Sequence, residues 1–191
     1  VTDVTVKNGT IHIYEDAFAD CYSLVSVTMP DSVVSIGERA FMWCNSLETI
    51  KLSSNLESIG RDAFSFNMSL VEIALPDSLT EICDYAFYYC ESLKKITIPA
   101  NVSYIGYAAF GFCSSLEEIE VNSANKFYIV ENNILFSKDK TEIISYPAYN
   151  TEATYTIPDS VTSIGNHTFI RCTSLTNITI PDSVTSIGSC A

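Results

Sequence analysis

The sequence of 191 residues predicts a repeat solenoid built mostly of β-structure. The first observation is that the dipeptide Ala-Phe recurs every 23 residues. The second is that Leu, Ile and Val recur at other positions in the same step; the residues that share one such position of the repeat are called a column. The third is that in most units Pro follows one apolar run and Gly follows the next. Five Ala-Phe copies begin at Ala17, Ala40, Ala63, Ala86 and Ala109, and Thr168-Phe169 forms a sixth after an interruption.

One unit reads A-F-x-x-C-x-S-L-x-x-I-x-I-P-x-S-V-x-x-I-G-x-x, and each part of it predicts a local structure. The run L-x-x-I-x-I predicts a strand that ends at Pro, because Pro cannot donate to a ladder. The run S-V-x-x-I predicts a second short extended segment, after which Gly turns the chain. The run A-F-x-x-C predicts a single helical turn. One such unit cannot bury its apolar side chains alone, so the copies must stack around a continuous core.

This unit resembles the leucine-rich repeat of the BspA-like (Treponema pallidum-type) class, whose 23-residue units carry the pattern C-x-x-L-x-x-I-x-L-P. The resemblance covers nearly the whole chain except roughly residues 122–156. It implies a leucine-rich-repeat horseshoe or arc with a parallel β-sheet on the concave side and neighbouring coils about 5 Å apart. It also implies a cell-surface protein, since BspA-like proteins are associated with adhesion.

An interruption follows the fifth copy, where 35 residues separate Val121 from Ile157 although both belong to one column. Polar turns in this stretch divide three short apolar runs, at 127–130, 134–136 and 142–146. This pattern predicts a β-hairpin or antiparallel meander that is either a passive edge of the solenoid or a ligand-contacting protrusion. The predicted single solenoid domain therefore has three parts: repeats at 1–121 with a partial first unit, an insertion at 122–156, and repeats at 157–191 with a truncated last unit.

Five of the seven cysteines fall in one column and are expected to be reduced and buried. Neighbours within one column would point the same way about 5 Å apart, which is too wide for relaxed disulfide geometry. In one coil the same column holds Asn67 in place of Cys, and this side chain needs hydrogen-bond partners if it is buried. The cysteines of this column are Cys21, Cys44, Cys90, Cys113 and Cys172.

Charge and motif content argue against several functions. The chain has 10 Lys and Arg against 23 Asp and Glu, a net charge of −13, which disfavours nucleic acid and acidic membranes. No apolar run approaches the roughly 18 residues that a membrane span needs. The two histidines, His12 and His167, lie far apart with no Ser or Cys partner held by obvious spacing, and neither a phosphate loop nor zinc spacing is present. We expect no catalytic residue, cofactor or metal site.

Two surfaces are candidates for binding, an aromatic column and the outward positions of the concave strands. The residue before the column Cys is aromatic in four consecutive coils, at Trp43, Phe66, Tyr89 and Phe112. These rings either bury one another or, if exposed, form an apolar stripe for a protein or glycan. The variable outward positions of the concave strands include Thr28, Lys51, Glu72, Lys95, Glu118 and Glu120. Their charges either pair across an exposed sheet or contact a ligand.

Three functions are compatible with these observations. The first is a non-enzymatic, adhesin-like module that binds a host or microbial surface or matrix protein, and the resemblance favours it. The second is a passive structural spacer or scaffold of a larger surface protein, and the third is a glycan-binding accessory domain that uses the aromatic column. All three predict an extracellular or cell-surface location. The incomplete end units also predict a longer array or end-to-end self-association.

Overall fold

The computed structural model describes residues 1–191 and confirms the mostly β parallel solenoid, which has about eight turns and no helix. In chain order the strands of the first six coils are β1 (Asp3–Thr5), β2 (His12–Ile13), β3 (Ser26–Thr28), β4 (Ser35–Ile36), β5 (Thr49–Lys51), β6 (Ser58–Ile59), β7 (Glu81–Ile82), β8 (Lys95–Ile98), β9 (Tyr104–Ile105) and β10 (Glu118–Val121). The remaining strands are β11 (Tyr128–Glu131), β12 (Ile134–Ser137), β13 (Glu142–Ser145), β14 (Thr154–Thr156), β15 (Ser163–Ile164), β16 (Asn177–Thr179) and β17 (Ser186–Ile187).

Each coil adds a strand to one or both of two parallel ladders. The first ladder is formed by the L-x-x-I-x-I strands, in the pieces β1-β3-β5, β8-β10 and β14-β16. The second ladder is formed by the shorter S-V-x-x-I segments, in the order β2-β4-β6-β7-β9 before the interruption and, with β13, in the order β13-β15-β17 after it. Pairing keeps each column in register, so that Val27 lies between Val4 and Ile50. The 23-residue sequence step is therefore the step from one strand to its neighbour.

The Phe of each Ala-Phe pair fills the centre of the coils. From Phe18 to Phe110 these rings form one stack, in which neighbouring centroids lie 5.0 to 5.9 Å apart and the planes are within 9° of parallel. Phe41, Phe64 and Phe87 are fully buried. Each ring thus buries its faces against the same side chain of the adjacent coils, which explains why the residue recurs.

The A-F-x-x-C segment does not form the predicted single helical turn. Its N–H groups alternate between two kinds of acceptor: Ala63 donates within its coil to the Gly60 carbonyl at 3.2 Å, whereas Phe64 donates to Ala86 of the next coil at 2.8 Å. The residue before the column Cys also has a left-handed backbone, as at Phe66 with φ 62°. Bonding between coils and positive φ are incompatible with a right-handed helix, so the segment is a series of turns.

The interruption contains the predicted antiparallel meander, but the solenoid resumes before residue 156. Strands β11 and β12 pair antiparallel, as do β12 and β13, yet β13 pairs in parallel with β15 and β14 with β16. Tyr146 donates its N–H to the Thr168 carbonyl at 3.0 Å, the bond that four column Phe residues, from Phe18 to Phe87, make to the next coil. The segment 142–156 is therefore a divergent coil, and the inserted part is shorter than the expected 122–156.

Strand β12 divides the interior of the solenoid into two cores. Three of its four residues, Ile134, Leu135 and Phe136, are buried. Leu135 packs into the larger core, of 34 buried residues, and its neighbours on either side pack into the smaller core, of 7. Because successive side chains of a strand point to opposite faces, one strand serves both cores.

Candidate functional site

The four aromatic residues of the candidate binding column form a continuous stack. The ring centroids of Trp43 and Phe66 are 3.9 Å apart, those of Phe66 and Tyr89 are 4.9 Å apart, and those of Tyr89 and Phe112 are 4.2 Å apart. All three pairs lie within 13° of parallel. Arg171, in the same column beyond the interruption, places its guanidinium carbon 5.4 Å from the Phe112 ring centre. The inner ring faces are thus covered by neighbouring side chains, and the half-buried rings present their edges to solvent.

The four residues that carry these rings have an unfavourable backbone conformation. The φ angles are 63° at Trp43, 62° at Phe66, 59° at Tyr89 and 61° at Phe112, in the left-handed region that glycine prefers. Such a conformation costs on the order of 1 kcal/mol for a residue with a Cβ, while a stacked aromatic pair contributes about 0.5–1.5 kcal/mol beyond its buried area. The stacking therefore offsets the strain of the turn, which gives the column a structural role in addition to its candidate binding role.

The candidate residues of the first ladder lie on its outer face. Lys95 Nζ lies 3.0 Å from Glu118 Oε2 and 2.9 Å from Glu120 Oε1, and Thr97 donates its hydroxyl to Glu120 at 3.0 Å. Lys95, followed by Thr97, lowers the pKa of the Glu120 carboxyl. The same face carries the exposed side chains of Thr28, Lys51 and Glu72. The structure thus brings three of the six candidate residues into one ion-pair cluster.

The first ladder is interrupted between the third and fourth coils. No backbone hydrogen bond joins β5 to residues 71–75, and only Glu72 bridges onward to Lys95. A depression of about 420 Å³ opens at this break, with Ile50, Ala74 and Leu75 among its lining residues. Two of the charged candidate residues therefore stand at the rim of an opening in the sheet.

A larger cleft, of about 560 Å³, lies where the inserted hairpin separates β9 from β13. Tyr104 and Phe127, both 48% exposed, are among its lining residues. The repeat pattern does not reveal this cleft, because its two walls are 19 to 82 residues apart in the chain and come together only when the hairpin replaces the next strand of the ladder. The one available signal was Phe127, an apolar residue beside Lys126 at the start of the insertion.

The hydroxyl of Tyr128 closes part of the open edge of β9. It accepts the Ile105 N–H at 2.9 Å and donates to the Ser103 carbonyl at 3.3 Å, replacing bonds that the next strand makes elsewhere. The Ile105 carbonyl has no hydrogen-bond partner in the protein. The hydrogen bonds of this edge are therefore made at the Ser103 carbonyl and the Ile105 N–H, and the edge has a free acceptor where it borders the cleft.

Two carboxylates line the cleft, and neither pairs with a cation. Asp84 Oδ1 accepts the Tyr107 N–H at 2.8 Å and the Tyr104 hydroxyl at 3.2 Å. The Glu142 side chain accepts no hydrogen bond, and partial desolvation followed by repulsion from Asp139 raises its pKa. None of the 14 lining residues is Lys or Arg. The cleft is therefore acidic as well as aromatic.

The two histidines lie in different settings. His12 Nδ1 is 2.7 Å from Ser35 Oγ, a pair that the sequence analysis missed although the residues are one repeat apart. The pair is exposed, and no carboxylate holds the other nitrogen of His12 as a nucleophile–base pair requires. His167 packs against the rings of Tyr88 at 5.9 Å and Tyr107 at 5.6 Å, and burial lowers its pKa. The structure thus provides no assembled catalytic group at either histidine.

No helix in the chain has the length and apolar character that a bilayer crossing demands. The His, Cys, Asp and Glu side chains form no group of three that could hold a metal ion.

Comparison with known proteins gives a family match and several similar structures. The BspA type leucine-rich repeat region matches residues 11–142 and 141–191, in six copies. A leucine-rich repeat protein from Eubacterium ventriosum is 33% identical, with a TM-score of 0.89, over 99% of this chain and 50% of that one. A leucine rich cell surface protein from Faecalibacterium prausnitzii is 32% identical, with a TM-score of 0.77, over 98% of this chain and 57% of that one.

The leucine-rich repeat protein of T. pallidum is 28% identical, with a TM-score of 0.63, over 97% of this chain and 72% of that one. No curated protein matches the chain. The chain spans 50% and 57% of the lengths of the first two structures, so it corresponds to a little over half of each at most.

Proposed function

We propose that this chain, which belongs to the BspA-type leucine-rich repeat family, is a non-enzymatic, adhesin-like module that binds a host or microbial surface or matrix protein. The observation that carries the proposal is that the exposed residues on the outer face of the first ladder vary from coil to coil. Along β8 the residues alternate exposed and buried, so that Lys95 and Thr97 project outward while Ile96 and Ile98 fill the core. The core columns repeat nearly unchanged, whereas the exposed residues differ from coil to coil, as a surface for one specific partner requires.

The cell-surface location is part of the same proposal. The relative from Faecalibacterium prausnitzii is described as a cell surface protein, which supports an extracellular or surface location for this chain. The absence of an orienting carboxylate at the pair of His12 and Ser35 supports a function without catalysis. The aromatic column supports protein binding better than glycan binding, because stacking on a sugar needs a free ring face and the inner faces of this column cover one another.

A binding screen with charge-reversal variants tests the proposal. The immobilised chain is exposed to a panel of extracellular-matrix proteins, bacterial surface proteins and glycans. We expect saturable binding to at least one protein and a loss of about tenfold or more in affinity for Glu72→Lys, because the reversed charge would face the partner. The matched control is Glu57→Lys, which makes the same change on an exposed residue beside the second ladder.

The alternatives give different results in this screen. If no protein binds saturably, the chain is a passive spacer, and if only glycans bind, it is a carbohydrate module. Equal losses for the two variants would place the binding surface elsewhere. End-to-end self-association is a further part of the proposal, and light scattering at increasing concentration tests it.

A further inference from the structure

The cleft between β9 and the inserted hairpin has the features of a site for an organic cation. Its rim carries the half-exposed rings of Tyr104 and Phe127, and aromatic faces attract ammonium and guanidinium groups. Its lining includes the carboxylates of Asp84 and Glu142 and no basic residue. The Ile105 carbonyl at its edge adds a free acceptor for an N–H donor.

We infer that this cleft receives a lysine or arginine side chain of the protein partner. The cation would contact the aromatic rim with its aliphatic stem and donate hydrogen bonds to Glu142, whose carboxylate has no other partner. Asp84 contributes negative charge from a fixed position, because the Tyr107 N–H and the Tyr104 hydroxyl hold its Oδ1 atom. The inference rests on the proposed protein-binding function and adds the chemistry of the group that the partner inserts.

Other classes of ligand fit the cleft less well. A phosphate, sulfate or acidic sugar would meet two unneutralised carboxylates and would be repelled. A neutral sugar could stack on the aromatic rim, but it carries no charge and would gain nothing from the negative charge of the cleft. A basic side chain satisfies both features at once, and it lowers the raised pKa of Glu142 by neutralising its charge.

The charge of the whole chain supports the same class of partner. A net charge of −13 attracts basic surfaces over a distance and raises their association rate. Long-range attraction alone does not choose a docking point on an acidic protein. The cleft supplies one, because it combines concave shape, aromatic contact and unpaired carboxylates in a single place.

A titration followed by ¹⁵N–¹H NMR tests the inference with two small probes, one that carries a single positive charge and one that is neutral. The probe is N-acetyl-L-lysine methylamide, and the matched neutral probe is N-acetyl-L-norleucine methylamide, which has the same number of side-chain carbons without an amine. We expect saturable shifts of the Ile105, Gly106 and Phe127 amides with the lysine probe and none with the norleucine probe. Glu142→Gln should weaken the lysine probe about tenfold, the usual effect of losing a hydrogen bond between charged groups.

The controls make the result specific to the cleft. Glu57→Gln removes the same charge from an exposed residue outside the cleft and should leave the affinity of the probe unchanged. Glu142→Gln keeps the shape of the side chain, and its NMR spectrum shows directly whether the fold is retained. Non-saturating shifts spread over the acidic surface, equal binding of the norleucine probe, or equal weakening by both variants would overturn the inference, as would stronger binding of a neutral trisaccharide.

The same variants separate this inference from the proposed function. Once a protein partner is found, Glu142→Gln should lower its affinity about tenfold, and an unchanged affinity would refute the role of the cleft while the binding function stands. If no protein binds but the lysine probe saturates the cleft, the proposed function fails and the chemistry of the cleft stands.

Discussion

Replacement of Asn67 by Cys tests whether the thiol column is a hydrogen-bonding device. In this column Cys90 donates its Sγ hydrogen to the Phe64 carbonyl at 3.1 Å. Asn67, fully buried in the preceding coil, makes the equivalent bond from Nδ2 to the Phe41 carbonyl at 2.8 Å. Its Oδ1 atom, however, has no partner. Asn67→Cys should therefore keep the bond and remove the unsatisfied oxygen.

The magnitude follows from these contacts. A buried acceptor without a partner costs about 1–3 kcal/mol, so its removal favours the variant. The thiol is a weaker donor and a smaller group than the amide, and these two losses offset part of the gain. We expect a net increase of about 1 kcal/mol in the free energy of unfolding, which raises the Tm of a chain of this size by about 2–4 °C.

Thermal and urea unfolding, followed by circular dichroism under reducing conditions, measure the effect. The reciprocal variant Cys90→Asn creates a second buried amide and should lose about 1–3 kcal/mol. The reasoning is refuted if Asn67→Cys is less stable than the parent chain while Cys90→Asn is neutral. In that case the unpaired Oδ1 atom would carry no measurable cost, and the amide would serve this column at least as well as the thiol.

Three further predictions concern the core, the edge of the ladder and the thiols. Phe64→Ala opens the middle of the ring stack and should cost about 3–5 kcal/mol, measured by urea unfolding. Tyr128→Phe leaves the Ile105 N–H without its partner and should cost about 1 kcal/mol, read as a lower Tm. At pH 8, iodoacetamide should label the exposed Cys190 first and leave Cys113 unmodified, as determined by mass spectrometry. Burial raises the pKa of Cys113 to about 12 from 9.0, so its contribution to stability is complete below about pH 9 and is lost as the pH rises towards 12.

The repeated coils could be predicted from the sequence because their columns are nearly invariant. A step of 23 residues at Ala-Phe, Leu and Ile fixes both the strand spacing and the identity of the core. The stack from Phe18 to Phe110 and the pairing of Val27 with Ile50 follow directly from that step. Local pattern did not predict the turns of A-F-x-x-C, because their hydrogen bonds go to another coil.

The divergent coil at 142–156 could not be identified by its period. Glu142 pairs with Ser163, 21 residues away, so the 23-residue step fails on this side of the coil. Tyr146 replaces the column Phe, and the position of the column Cys is taken by Tyr149, which is 56% exposed. The 23-residue step returns in β14, where Thr154 pairs with Asn177. The cleft beside this coil was equally hidden, since it depends on where the hairpin displaces a strand.

The double role of β12 has a consequence for how the array unfolds. In a solenoid each coil is stabilised by its immediate neighbours, so cooperativity passes from coil to coil through shared core contacts. At the hairpin that cooperativity passes through strands whose alternate residues pack into different cores: Leu135 of β12 packs into the larger core, and Ile134 and Phe136 pack into the smaller one. The smaller core can then open while the larger core stays folded, and native-state hydrogen exchange should resolve two cooperative units that meet at this strand. The hairpin is thus the boundary at which local unfolding of one half of the array ends.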